Sequence, residues 1–314
     1  CLVPVVRGDE RPVNLVPGRR KHNPSGGRVV VPVEAGLQLV GCLEVGDLLG
    51  RHAHRLPGAG ITGQAGAALL DLEAAEAAQL DTIAARHALD SDPVHGAVIP
   101  PLYLSSNFSF EALGQPRQYD YTRSGNPTRD QLGGAVAELE GGAGGVVTAS
   151  GMAAVHLVTQ LLQPGETLVA ANDCYGGCHR LFRSVAARGH YDLCWTPLWE
   201  TTAAVARIRE LKPRMVWIET PSNPLLRITD IEAVARVAKS KSILTVIDNT
   251  FASPINQNPL QLGADLVLHS ATKFLGGHAD ALGGVVCGPP ELIDQIYHFR
   301  EINGAALDPM AAYL

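Results

Sequence analysis

The chain lacks the features that would tie it to a membrane or to nucleic acid. Its 314 residues contain no run of about eighteen uncharged apolar residues, which argues against a transmembrane helix. No dense basic stripe occurs, and a formal net charge of −6 speaks against nonspecific nucleic-acid binding. Cysteines are scattered, and only Cys174 and Cys178 lie close together. No second Cys/His pair at ligand spacing accompanies them, so no metal site is expected. Reduced thiols in a cytoplasmic protein are the expectation for such a set. Methionine is also scarce, and the first one is Met152.

Absences describe the amino-terminal stretch as well. Residues 1–77 hold a single serine, Ser25, and frequent acidic residues, a composition unlike a transit peptide. No basic segment leads into an apolar stretch and cleavage site, so a secretory signal is excluded. What is there is Gly, Pro, Val and Arg, with a basic patch at Gly18-Arg-Arg-Lys-His22. Two readings stand: translated upstream or out-of-frame sequence without order, and a genuine extension with a helix over residues 65–79. The expected organisation is this leader over 1–77, an arm over 78–124 and a large domain over 125–314.

From Leu80 the pattern changes. Pro100–Phe108 reads as extended, because proline disfavours helix for itself and the residue before it. A helix is expected over Asp130–Leu139, then a glycine cluster at Gly141–Gly145 and a strand at Val146–Thr148. Ser150-Gly-Met152 opens a further helix to Leu162. Strands at 167–170, 215–218, 243–247, 266–268 and 285–286, with a helix at 231–238, continue the alternation. Such repeats predict an α/β fold: a mostly parallel sheet covered by helices. The glycine cluster precedes its strand, so it reads as a helix-to-strand turn and not as a dinucleotide fingerprint.

In sheets of this kind ligands bind beyond the carboxyl ends of the strands. Asp248 and Lys273 both come directly off short apolar β-type runs. An amine and a carboxylate facing one crevice can hold an aldehyde cofactor as a Schiff base and grip a pyridinium nitrogen, which points to pyridoxal 5′-phosphate (PLP). Ser150, Gly151 and Met152, at a strand-to-helix turn, offer free N–H groups to a phosphate; read alone, such a trio is more often an ordinary serine N-cap. Ser270 and Thr272 could add hydroxyl donors or simply cap their turn. Tyr175 fits either a ring-stacking role or ordinary packing. Lys273 is followed by Phe-Leu-Gly-Gly-His-Ala-Asp-Ala-Leu-Gly-Gly, which suggests tight backbone packing around a site; His278 and the Cys174/Cys178 pair read as structural.

Taken together, Tyr121-Thr-Arg-Ser-Gly-Asn-Pro-Thr-Arg129, Ser150-Gly-Met152, Asp173-Cys-Tyr-Gly-Gly177, Glu219-Thr-Pro-Ser-Asn-Pro-Leu225, Asp248-Asn-Thr-Phe251 and Ser270-Ala-Thr-Lys-Phe274 resemble the Cys/Met-metabolism PLP enzymes of fold type I. The resemblance runs from about Leu80 to Leu314. It implies that Lys273 carries the Schiff base and shuttles protons, with Tyr175 and Tyr121 also in the catalytic set. It implies that Asp248 pairs with the ring nitrogen, Tyr175 stacks on the ring and Asn223 meets the ring oxygen. The phosphate falls to Ser150, Gly151, Met152, Ser270 and Thr272, and to Tyr121 and Arg123 of a neighbouring copy. A homotetramer built from dimers is therefore expected. The implied reaction is γ-replacement, making cystathionine from O-succinylhomoserine and L-cysteine in methionine biosynthesis. Cystathionine γ-lyase or homoserine sulfhydrylase chemistry, or a PLP-binding fragment without turnover, are the alternatives. The family's carboxyl-terminal small domain, with the arginine for the substrate carboxylate, is expected to be missing from the chain.

Overall fold

The computed structural model describes residues 80–314. The leader over 1–77 and the expected helix over 65–79 lie outside the described residues. Residues 80–86 are helical, and 87–126 form a meandering arm whose regular pairing is limited to the bridges Asn107–Tyr121 and Ala112–Gln115. The extended reading of 100–108 agrees with this course.

α1 spans Pro127–Glu140, starting three residues before the expected helix. The Asn126 side chain accepts the N–H groups of Thr128 and Arg129, and Pro127 at the first helical position sacrifices no hydrogen bond. Gly141 ends the helix at φ 70°, a left-handed conformation that favours glycine. The cluster 141–145 is thus the helix-to-strand turn that its position indicated. It leads into β1, Gly144–Thr148, followed by α2, Gly151–Thr159. The alternation continues with β2 Thr167–Ala171, α3 Gly176–Ala186, β3 Asp192–Thr196, α4 Thr201–Leu211, β4 Met215–Glu219 and α5 Ile231–Lys239. Next come β5 Leu244–Asp248, the short α6 Ser253–Asn256, β6 Leu266–His269, β7 Gly284–Gly288, α7 Pro290–Asn303 and α8 Pro309–Tyr313.

The seven strands form one sheet in the order β1-β7-β6-β5-β4-β2-β3. The pairs β2–β3, β2–β4, β4–β5 and β5–β6 are parallel, whereas β7 runs antiparallel to both β6 and β1. The reversal has a simple cause. A parallel return needs a crossover, usually a helix, and the 270–283 connection contains none. Mostly parallel is therefore right for this sheet, with one strand turned.

Central strands are apolar on both faces, as a sheet covered by helices requires: every residue of β4 is buried, as are Val246, Ile247, Leu266 and Val267. Trp217 meets Phe182 of α3 edge-on at 5.2 Å between ring centroids. On the other side α1 lies directly on β1, so close that a Cβ on Gly145 would overlap the Gly133 carbonyl oxygen. Neither backbone can retreat without unseating α1. Gly145→Ala is expected to cost about 1–3 kcal/mol through this overpacking. Urea unfolding checks it, and an unchanged midpoint would contradict the contact.

Candidate active site

Five strand ends converge on one cleft of about 180 Å³, lined among others by Ser150, Gly151, Met152, Tyr175, Glu219, Asn223, Asp248, Thr250, Ser270, Thr272 and Lys273. Nine of the eleven site residues expected from the sequence therefore meet here. Tyr121 and Arg123 do not.

One wall is the start of α2. Ser150 is its N-cap, and its Oγ accepts the Ala153 N–H at 3.1 Å. The capping reading of Ser150 is thus the observed one, and it does not exclude the other. The helix's own ladder leaves the N–H groups of Gly151 and Met152 over, pointing out of its positive end. Gly151 stands against the opposite loop: a Cβ there would lie 2.7 Å from Ser270 Cβ. A second close approach occurs at Gly177, where a Cβ would collide with the Tyr175 ring. Both glycines keep open a space that side chains would fill.

The floor is electrostatic. Asp248 ends β5 and Glu219 ends β4, and the two are register partners in adjacent parallel strands. They are only 8% and 6% exposed, respectively. Burial pushes the Asp248 carboxyl above the usual carboxylate range, against the Thr250 hydrogen bonds that lower it. Burial and then the Asp248 charge push Glu219 up to about 8, opposed by the N–H groups of Tyr175 and Asn223. Among the described residues neither carboxylate is in an ion pair. The cleft thus presents buried acid that no cation is paired with.

Lys273 supplies the one amine of the lining and sits exposed at the mouth. Its loop is wound tightly: Lys273 N–H donates to Ser270 O at 3.1 Å, Gly276 N–H to Ala271 O at 2.8 Å and Gly277 N–H to Lys273 O at 2.9 Å. The glycine-rich run after Lys273 serves this compactness. His278 is exposed, and its Nδ1 lies 2.9 Å from the Gly276 carbonyl oxygen. Thr272 lines the cleft, yet its hydroxyl exchanges hydrogen bonds with the Gly283 backbone, so it also closes the loop. Cys174 and Cys178 are buried, and desolvation raises both thiols, Cys174 to about 12.

Thr250 was not singled out by the sequence. Its hydroxyl donates to Asp248 Oδ1 at 2.6 Å and accepts the Ser270 N–H at 2.8 Å, which ties the end of β5 to the Lys273 loop. Behind it, buried His269 and Glu140 approach at 2.5 Å, and Asn249 donates to the same Glu140 oxygen at 2.8 Å. The residues following Asp248 and preceding Lys273 are thereby pinned to the end of α1.

Tyr121 and Arg123 lie on the surface of the arm, with the Arg123 guanidinium 5.4 Å from the Tyr121 ring centroid. The turn that carries them is held from inside. Buried Arg129 donates to Thr122 O, buried Arg300 and Tyr297 donate to Ser124 O, and Arg123 donates to Glu301 O at 2.7 Å. Within one chain this pair does not enter the cleft.

An amine beside buried carboxylates, with helix N–H groups at the rim, is a site for a cofactor carrying an aldehyde, a cationic ring and a phosphate. The chain belongs to the Cys/Met metabolism PLP-dependent enzyme family, whose family model matches residues 81–314. It is 48% identical over 232 residues to the cystathionine gamma-synthase of Escherichia coli (strain K12), covering 72% of this chain and 60% of that protein. It is 42% identical over 229 residues to a cystathionine beta-lyase of Lactococcus lactis subsp. cremoris (strain MG1363), again covering 72% and 60%. Among solved structures it matches cystathionine gamma synthase from Xanthomonas oryzae pv. oryzae in complex with aminoacrylate and cysteine. The TM-score is 0.73 at 52% identity, covering 74% of this chain and 61% of that one. The fold expected from the sequence is thus shared with PLP-dependent relatives, and the chain spans about 60% of their length. The residues fit the cofactor: an unpaired buried carboxylate can take a pyridinium N–H, and the Gly151 cradle leaves room at free N–H groups. No helix among the described residues is long and apolar enough to cross a membrane, and no metal-binding cluster occurs among them.

Thr250→Val is expected to cost about 1–3 kcal/mol, because Asp248 and the Ser270 N–H both lose a buried partner. Thr250→Ser should retain most of that stability, and equal losses for the two variants in denaturant titration would contradict the hydroxyl's role.

Proposed function

We propose that the protein is a cystathionine γ-synthase-type enzyme, in which the thiol of L-cysteine replaces succinate at the γ-carbon of O-succinylhomoserine to form cystathionine. The observation that carries the reading is the single amine of Lys273 in a cleft floored by the buried Asp248 and Glu219 carboxylates. Support for this reaction within the family comes from the 48% and 52% identities to γ-synthases. An elimination reaction is the second reading, and the 42% identity to a β-lyase favours it. Cystathionine γ-lyase chemistry is such an elimination; homoserine sulfhydrylase chemistry, a γ-replacement by sulfide, is the other alternative within the family.

When bound, PLP supplies an aldehyde that condenses with amines and a protonated ring that withdraws electrons from the carbon bearing the substrate amine. The roles of this chain's residues follow from their chemistry. Asp248, acid at a buried strand end, holds the positive charge at the ring nitrogen. The N–H groups of Gly151 and Met152, with the hydroxyls of Ser150 and Ser270, hold the phosphate, and Thr272 steadies their loop. Tyr175 and Asn223 line the same cleft, where Tyr175 would stack on the ring and Asn223 would hydrogen-bond its oxygen. Lys273 anchors the cofactor and then takes and returns protons at the substrate's α- and β-carbons, so it works as both base and acid. Tyr121 and Arg123, displayed on a rigid turn, reach the phosphate of a neighbouring copy in a tetramer of paired dimers. The Arg123 guanidinium suits paired hydrogen bonds to phosphate oxygens.

A steady-state assay of the full-length protein with O-succinylhomoserine and L-cysteine should yield cystathionine. Lys273→Ala should lower kcat by roughly 100- to 10,000-fold, the ordinary contribution of a proton-transferring side chain. Consumption of cystathionine without its synthesis would replace the transferase reading with the lyase one.

A further inference from the structure

We propose that Glu219 is a positioning residue that holds the loops carrying Tyr175 and Asn223, and that it shares one proton with Asp248 until a cation enters the cleft. The inference deepens the cofactor reading and rests on it in one respect: the cation is the ring of PLP.

The geometry begins with the register. Glu219 and Asp248 pair across β4 and β5 at the last residue of each strand. Partners in a parallel ladder project their side chains on the same face. Glu219 then spends both oxygens on main-chain donors from separate loops. Oε2 accepts the Tyr175 N–H at 2.6 Å, and Oε1 accepts the Asn223 N–H at 2.8 Å. These two bonds set where the aromatic cover and the amide of the cleft can stand. Asp248 takes its own donors from Thr250, through the hydroxyl and the N–H.

Two buried carboxylates side by side cannot both ionise cheaply. The charges that face them do not settle the matter. Asp173 adds a third carboxylate on the β2 side, and the Cys174 and Cys178 thiols of the same segment are desolvated and neutral. His269 at the end of β6 favours the Asp248 anion, and Lys273 lines the mouth. Without a ligand, the pair therefore keeps a proton that solvent-exposed carboxyls would have lost, and the two groups release their protons in separate steps. A cationic ring nitrogen supplies the missing positive charge and sets that proton free to solvent.

The sign of the pH dependence follows. The Glu219 value rises from an ordinary 4.5 to about 8 in the fold. Between those values the folded state binds more protons than the unfolded one, so stability falls as pH rises towards 8 and levels off above it. For the cofactor-free full-length protein, the thermal midpoint should fall by about 5 °C between pH 5.5 and pH 8.5. Glu219→Gln should remove at least half of that fall, and so should Asp248→Asn, which keeps the test alive if one variant does not fold. Saturating PLP should flatten the wild-type profile. An amide in place of the Glu219 carboxylate would turn an N–H towards one loop N–H, so Glu219→Gln should also weaken PLP binding about tenfold. A flat wild-type profile, or variants with the wild-type fall, would overturn the shared proton. Unchanged PLP affinity in Glu219→Gln would overturn the positioning role. A fall that PLP neither flattens nor accompanies with binding would sink the cofactor reading and leave the proton pair standing.

Discussion

Everything in this cleft depends on two carboxylates held out of water at the ends of neighbouring strands. Burying an acid without a cation is costly, and proteins accept it where a ligand will supply the counter-charge. Here Asp248 and Glu219 stand in register on β5 and β4, and the surrounding contacts keep them there. Thr250 bonds Asp248, main-chain N–H groups bond Glu219, and the strands that carry them are buried and apolar. The floor is prepared for positive charge before any arrives.

The sheet explains why these groups meet. Parallel strands all deliver their carboxyl ends to one edge, and side chains that finish or follow them share a crevice. β1 delivers the Ser150–Met152 turn, β2 delivers Tyr175, β4 Glu219 and Asn223, β5 Asp248 and Thr250, and β6 Ser270 through Lys273. β7 is the exception that makes the Lys273 loop possible. By running antiparallel it returns the chain through a compact connection without a helix, and Gly283 in that connection clasps Thr272.

Much of this was legible in the sequence because it depended on local order. Asp248 closes an apolar run, so its strand-end position could be read directly; Lys273, read as coming straight off its strand, instead stands four residues beyond the end of β6, in the loop that the strand delivers. What holds for Asp248 holds for Ser150, between a valine-rich strand and an apolar helix. The direction of β7 was not legible, since Val285-Val286 looks alike whichever way it runs. The edge strand β3 and its flanking helices α3 and α4 were missed; Asp192-Leu-Cys-Trp-Thr196 is only partly buried and carries little of the apolar signature of its neighbours. Glu219 was visible as part of a motif, yet its role arises from a partner twenty-nine positions away in an adjacent strand. Its signal was present in kind: an acid closing a buried apolar strand, like Asp248. Thr250 was invisible for the same reason, because it bridges two loops that only the sheet brings together. Tyr121 and Arg123 sit outside the cleft within one chain, so their assignment to a neighbouring copy stays a proposal.

The central claim is that the Lys273 amine and the buried carboxylates form one site for an aldehyde cofactor with a cationic ring. Borohydride reduction of the PLP-loaded protein, followed by peptide mapping, tests it most directly. The account predicts one stable phosphopyridoxyl group per chain on Lys273, and its loss from that position when Asp248 is replaced by alanine and the cofactor no longer binds. A label spread over surface lysines, or none on Lys273, would contradict it.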